Sequence, residues 1–538
     1  MWWVSAAGWL LAAWAALLWA AWAALRRYSS LLHGTWAALG VPHPPPEPLF
    51  GNVRPVLTFR EAAADGYRRL YQAFPRASYI GIYQARHPTL LVRDPALARR
   101  LLGPDFVSFS SRGVPWDARG DPLAAHLLTM DGPAWAALRR KLAPPFSPGR
   151  VAAAAPAVAH CAAALAAALR RQALESGAGS ADLEARELAA HYATDVIGRV
   201  AFALDFGSLR GRGAADADAD VDSSQRFGVM ARRVIRPTPS AVLRRFARLL
   251  LPEWFYRRLK VRSVPQDVAD FFCEVVRHSM DEREQSGVAR KDFLQTLLDL
   301  RSEGRREGDN SLGGIELTEA VVAAQAVAFF AAGLETTASA VCLCLLELAH
   351  APDIQQQAFL ELEKAGVQDP PAYEELQGLP FLDAIVAETL RKYPPSPNLV
   401  RVATQPYRLP HWSEEGEEGG GREVLVGAGT RLVVPVFAMQ RDARHFPDPE
   451  DFRPQRFLTA SSRGNPAYMP FGDGPRVCIG QRLGMLQLKL AIASVVRHFE
   501  LSAVPGRTVF PPRLEPRAQV VAPRDGAWVR FTPRQTQS

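Results

Sequence analysis

The stretch Phe471-Gly-Asp-Gly474-Pro-Arg476-Val-Cys478-Ile-Gly480 decides how this chain is read. A helical run follows from about Gln481 to Arg497, so Cys478 stands immediately ahead of a predicted helix N-terminus. Free backbone N–H groups and the helix dipole at such a place stabilise a thiolate and lower its pKa. Gly474 and Gly480 carry no side chain where something flat and wide could approach the sulfur, and Arg476 adds a cation two residues away. A structural cysteine, the commonest fate of a free thiol, explains neither the glycines nor the arginine. A metal-ligating thiolate explains both, while a nucleophilic cysteine would need a histidine partner from elsewhere in the chain.

Composition narrows the classes around that loop. The chain has 538 residues, 48% of them hydrophobic and 22% charged, which excludes a disordered or fibrous protein and allows one large core. Its net charge of +8 suits an acidic partner or a membrane surface, but the excess is too small and scattered for a nucleic-acid binder. The five cysteines (Cys161, Cys273, Cys342, Cys344 and Cys478) show no C-x-x-C spacing, which argues against a disulfide framework or a zinc ribbon and for a reducing compartment.

Residues 2–25 are uncharged, and only Ser5 and Gly8 interrupt their run of Ala, Leu, Val and Trp. At about 1.5 Å per residue they reach roughly 36 Å, enough to cross a hydrocarbon core of about 30 Å. Arg26 and Arg27 follow the apolar run, the opposite order from a cleaved signal peptide. Residues 1–27 therefore read as an uncleaved transmembrane anchor with everything after Arg27 in the cytosol. Residues 28–52, with their prolines between Pro42 and Pro48, form a proline-rich hinge or stiff strap. Residues 53–538 read as a single, mostly helical domain with a small β region.

Within that domain YIGIY and TLLV, between residues 79 and 92, are predicted strands. Residues 151–171 are alanine-rich and predicted helical. The stretch 241–260 interleaves arginines with Leu, Phe and Trp254, either as a surface helix or as a second membrane-touching element. Asp216, Asp218, Asp220 and Asp222 fall in a predicted loop, and 411–422 in a solvated insertion. Residues 320–346 are apolar apart from Glu335, and they read as a core helix because a carboxylate at a bilayer centre costs about 2.5–3.5 kcal/mol. Gly333 costs about 1 kcal/mol there relative to Ala, which points to a helix distortion or a close ligand.

Phe471-x-x-Gly474-x-x-x-Cys478-x-Gly480 resembles the heme-binding loop of the cytochrome P450 superfamily at every fixed position. Other motifs of that family appear in order. Glu388-Thr-Leu-Arg391 is similar to its E-x-x-R, whose i, i+3 spacing lets carboxylate and guanidinium pair, with Arg456 of Pro454-Gln-Arg-Phe457 as third member. Ala332-Gly333-Leu-Glu335-Thr336-Thr337 resembles the oxygen-activation motif, and Trp135-Ala-Ala-Leu-Arg139 the propionate-binding W-x-x-x-R. Local wording is most like arthropod xenobiotic-metabolising members of the microsomal branch. The insertion at 413–421 departs from the pattern in a surface loop.

The resemblance implies a mainly α fold with heme b (iron protoporphyrin IX) between a long central distal helix and a proximal Cys loop and helix. It makes Cys478 the axial ligand. Trp135, Arg139, Arg401 and Arg476 become propionate binders, with Arg112 a further candidate, and Phe471, Gly474 and Gly480 shape the loop. Thr336 steadies dioxygen and its proton-delivering water, and Glu335 feeds protons in. The implied activity is monooxygenation of a lipophilic small molecule. Phe106, Phe109, Trp116, Phe329, Phe330, the region 225–260 and residues 395–403 would line its pocket. No G-x-G-x-x-G fingerprint follows a predicted strand, which calls for a separate flavoprotein; the resemblance implies NADPH-cytochrome P450 reductase, with cytochrome b5 as a second donor, at the endoplasmic reticulum membrane. A reductase-independent isomerase or dehydratase on the same fold, and a heme carrier, are the alternatives. The intact Thr336 and Glu335 argue against both.

Overall fold

A computed structural model describes residues 2–114, 116, 121–210, 230, 266–286, 292–306, 311–410 and 423–535. The aspartates 216–222, the stretch 241–260, the pocket region 225–260 and the insertion 411–422 lie outside or almost outside the described residues.

The apolar N-terminus is one helix, Trp2–Leu32, on which Trp9, Trp14, Leu17, Leu18, Trp19 and Trp22 are exposed. The chain leaves it through a docked segment. Trp36 is fully buried, donates from Nε1 to Ile82 O at 2.9 Å and donates its backbone N–H to the Tyr83 hydroxyl oxygen at 3.1 Å. His33 bonds Ala85 O at 3.0 Å. At about 25 cal/mol per Å2 and about 200 Å2 of surface, burying that indole is worth roughly 5 kcal/mol before entropy. Gly81 makes room for it, since a Cβ there would lie 2.2 Å from Trp36 Cγ.

The two β-like runs are the strands Tyr79–Gln84 and His87–Val92, paired antiparallel. Arg431–Val434 adds to the second strand in parallel, and Leu399–Val402 closes the four-stranded sheet, setting Arg401 opposite Leu432. A second sheet joins Phe499–Ala503, Trp528–Pro533 and Ala181–Glu184.

Helices form the rest of the body. The alanine-rich segment is the helix Pro148–Glu175, with proline at its first position where no N–H is needed. The central helix Glu319–His350 starts at Thr318, whose side chain accepts from Val321 N–H, and runs for about 48 Å. Both helices are long and apolar enough to cross a membrane, but both lie packed in the domain, their apolar residues shared with the core. The helices Ala185–Ile197 and Gln481–His498 pack against the central helix. Packing against Ala185–Ile197 demands glycine at 333, because a Cβ would stand 2.3 Å from Ile197 Cδ1.

Candidate active site

Cys478 is placed by the loop before it. Asp473 accepts the Gly474 N–H at 2.7 Å, a 3-10 turn spans Gly474–Arg476, and Cys478 N–H donates to Phe471 O at 2.9 Å. Gly474 has φ +70°, and a Cβ there would lie 1.8 Å from Leu102 O. Its glycine is required where the loop wedges against the helix Pro95–Leu102. Gly480 differs, since an added Cβ would meet only Phe146 Cε1 at 4.0 Å. Nothing within the described protein demands glycine at 480, which leaves whatever rests on the cysteine face. The Phe471 ring packs towards Gly484 on the helix that follows.

The Cys478 side chain is open while its loop neighbour Arg476 and, on the following helix, Leu483 are buried. Desolvation raises its thiol pKa more than the Gly480 N–H, Arg139 and Arg112 lower it. A metal ion bound to the sulfur would deprotonate it outright.

Four guanidinium groups gather beside this loop around one carboxylate. Arg139 donates to Val477 O at 2.8 Å, and Arg476 to Met130 O at 2.9 Å and Asp131 Oδ1 at 2.7 Å. Arg476 also lies 4.2 Å over the Trp135 ring. Arg112 donates to Leu128 O at 3.2 Å, and its charge acts on Cys478. Burial followed by the charges of Arg112 and Arg476 lowers Arg401 to about 9; burial followed by Arg112 lowers Arg476 to about 10. Cations packed so closely in a dry place call for anions.

Hydrogen bonding gives the same answer. Nε of Arg401, and Nε and Nη1 of Arg476, are buried without a partner among the described residues. Asp131, which the sequence reading missed, precedes the helix Gly132–Leu142 but does not cap it. Its carboxylate binds the Ser111 hydroxyl at 2.6 Å and the Arg112 N–H at 3.2 Å as well as Arg476. The donor set thus fits a group bearing carboxylates above an open thiol, as heme b does.

The central helix opens at one place. Ala332 is exposed and Gly333, Glu335 and Thr336 are half-buried in a run that is otherwise largely buried. Thr336 Oγ1 donates back to Ala332 O at 2.6 Å. Glu335 does not stand free, because Arg186 on the helix Ala185–Ile197 pairs with it at 3.1 Å. Thr337 donates to Gln487 Oε1 at 3.0 Å, which ties the central helix directly to the helix that begins after Cys478.

Beneath the loop, Arg391 forks onto Glu388 at 2.7 and 2.9 Å, and Arg456 Nε reaches the same carboxylate at 3.1 Å. Glu388 and Arg391 are fully buried, and Arg391 also donates to Gln440 O at 2.8 Å, so the ion pair is saturated with hydrogen bonds. Two expected pocket residues are otherwise engaged. Phe109 is buried against Tyr407, and Phe330 against Phe202 and Phe206.

Fold and donor set fit one class, the heme-thiolate proteins. The cytochrome P450 family model matches residues 41–530. Probable cytochrome P450 6a14 of Drosophila melanogaster is 32% identical over 92% of this chain and 94% of its own length. Cytochrome P450 6A1 of Musca domestica is 32% identical over 92% and 93%, and cytochrome P450 6k1 of Blattella germanica 30% identical over 92% of each chain. The chain belongs to the cytochrome P450 family, an arthropod branch of it, and has that family's mainly α fold. It is a heme b monooxygenase that needs a redox partner and takes a lipophilic substrate.

Proposed function

We propose that this chain is a membrane-anchored monooxygenase of the endoplasmic reticulum. It receives electrons from NADPH-cytochrome P450 reductase, with cytochrome b5 as a second donor, and oxidises lipophilic small molecules. The observation that carries the reading is the open Cys478 thiol beside buried arginine N–H groups that have no acceptor among the described residues.

Heme, once bound, supplies the activation of dioxygen that places one oxygen atom in the substrate and reduces the other to water. The chain's residues do the rest. Cys478 would hold the heme iron through its sulfur, with its backbone N–H on Phe471 O and the Gly480 N–H directed at the thiol. Trp135, Arg139, Arg401, Arg476 and Arg112 hold the propionates. Thr336, whose hydroxyl rests on Ala332 O, would position a proton donor beside the bound heme, and Glu335 would pass protons to it. Val400, exposed beside Arg401, with half-buried Phe106, Trp116 and Phe329, gives the substrate an apolar wall.

The exposed tryptophans and leucines of Trp2–Leu32 support the anchor. Residues 28–52 then act as a strap, because Trp36 and His33 fasten it to the first strand. Arg140 and Lys141 are exposed on the last turn of the helix whose Arg139 touches the Cys loop, a basic edge suited to an acidic electron donor. Full-length protein in microsomes should resist carbonate extraction and consume oxygen only with NADPH, reductase and a lipophilic substrate. Turnover should fall as salt rises. Extraction by carbonate, or turnover without reductase, would contradict the reading.

A further inference from the structure

Residues 121–130 cross the site as an irregular segment, and a buried amide on the central helix holds them. Gln325 Nε2 donates to Ala125 O at 2.8 Å and to Val321 O at 3.1 Å, and Gln325 Oε1 accepts the Leu127 N–H at 2.9 Å. Both chain neighbours of His126 are thereby fixed to one fully buried side chain. The backbone N–H of His126 is bound by Thr129 Oγ1 at 3.2 Å. A histidine pinned on both sides and at its own amide has little freedom in where its ring sits.

The ring's protonation is fixed as well. Leu128 N–H donates to His126 Nδ1 at 3.3 Å, so a neutral imidazole carries its proton on Nε2. Burial followed by the Arg112 charge pushes the imidazolium down to about 4, which keeps the ring neutral near pH 7. Among the described residues Nε2 meets no acceptor, although the ring is half-buried. Leu128 connects the two groups, since its N–H serves His126 and its carbonyl accepts from Arg112 Nη1 at 3.2 Å. Arg112 in turn acts electrostatically on Cys478. A neutral N–H donor beside a guanidinium suits an anionic oxygen, and a carboxylate is the anion this site would meet: the cation supplies charge and the imidazole supplies direction.

We propose that His126 is a further carboxylate-binding residue of this site, acting with Arg112, and that Gln325 is its positioning residue. This rests on the heme seat proposed above and adds to it a donor outside the arginine and tryptophan motifs. The carboxylate can come from a heme propionate or from an acidic substrate, and the test separates the two.

Heme release from the full-length holoprotein to excess apomyoglobin is measured for wild type, His126→Ala, His126→Leu, His126→Gln and Gln325→Leu. Loss of one charge-assisted hydrogen bond should speed release about tenfold in the Ala, Leu and Gln325→Leu proteins, and His126→Gln, which keeps an N–H donor, should stay within about twofold of wild type. With heme dimethyl ester, whose propionates cannot accept in this way, wild type and His126→Ala should release alike. If heme release is unchanged but dodecanoate binds about tenfold more weakly than dodecanol does relative to wild type, the carboxylate is the substrate's. Unchanged release together with unchanged dodecanoate binding overturns the proposal. A thiolate-type carbon-monoxide spectrum retained in every variant keeps that failure separate from failure of the heme-thiolate reading.

Discussion

Arg186 Nη2 lies 3.1 Å from Glu335 Oε2, an ion pair across the packing of the helix Ala185–Ile197 on the central helix. It holds the carboxylate next to Thr336, so the proton relay proposed for Glu335 would act from a paired carboxylate. Both side chains are partly shielded, at 33% and 16% exposure, and such a pair is worth about 1 kcal/mol at most. Arg186→Leu should therefore fold and bind heme, yet lower the fraction of NADPH electrons that reach product, as Glu335→Gln should. The double variant should be no worse than the poorer single one, measured as product formed per NADPH consumed. Additive losses would separate the two residues.

Thr336→Ala removes a hydroxyl whose one recorded bond is to Ala332 O, within its own helix. Its melting temperature should stay close to wild type. Hydrogen peroxide per NADPH should rise severalfold as electrons leave the site without product, quantified by peroxidase assay against product yield.

The two glycines of the Cys loop should fail differently. Gly474→Ala forces a methyl into Leu102 O at a positive φ and should destabilise even heme-free protein by about 1–3 kcal/mol, seen as a lowered urea midpoint. Gly480→Ala meets no close atom, so heme-free stability should hold and any loss should appear only in heme retention.

Glu388→Ala strands the fully buried guanidinium of Arg391 and removes the partner of Arg456. Breaking a buried pair from one side costs about 3–5 kcal/mol, a large part of the stability of most domains. The expected outcome is little or no heme-loaded protein, read as the heme-to-protein absorbance ratio after purification.

What could be read in the sequence is what chemistry holds at fixed local spacing. Cys478 with its loop, Glu388 with Arg391, and Trp135 with Arg139 each lie within one turn or one loop, so residue type and separation carried the message. Asp131, Gln325 and Arg186 could not be found this way, because their partners are far along the chain, and His126 because the side chain that fixes both its neighbours is Gln325. Gln325 reaches Ala125 across 200 residues, Arg186 reaches Glu335 across 149, and Asp131 meets Arg476 across 345. Gly81 shows the intermediate case. A glycine inside a strand signals that something comes close, but only the fold reveals the Trp36 ring, whose indole N–H ends on Ile82 O. Gly333 and Gly474 make the same point, since the protein neighbours that leave no room for a Cβ, Ile197 and Leu102, belong to other helices.

The most direct test is the carbon-monoxide difference spectrum of the dithionite-reduced, full-length protein, set beside that of Cys478→His. Wild type should give the strongly red-shifted Soret band of thiolate-ligated heme, and Cys478→His should lose it. An imidazole-type band from wild type, or a thiolate band that survives in Cys478→His, would show that another atom holds the iron.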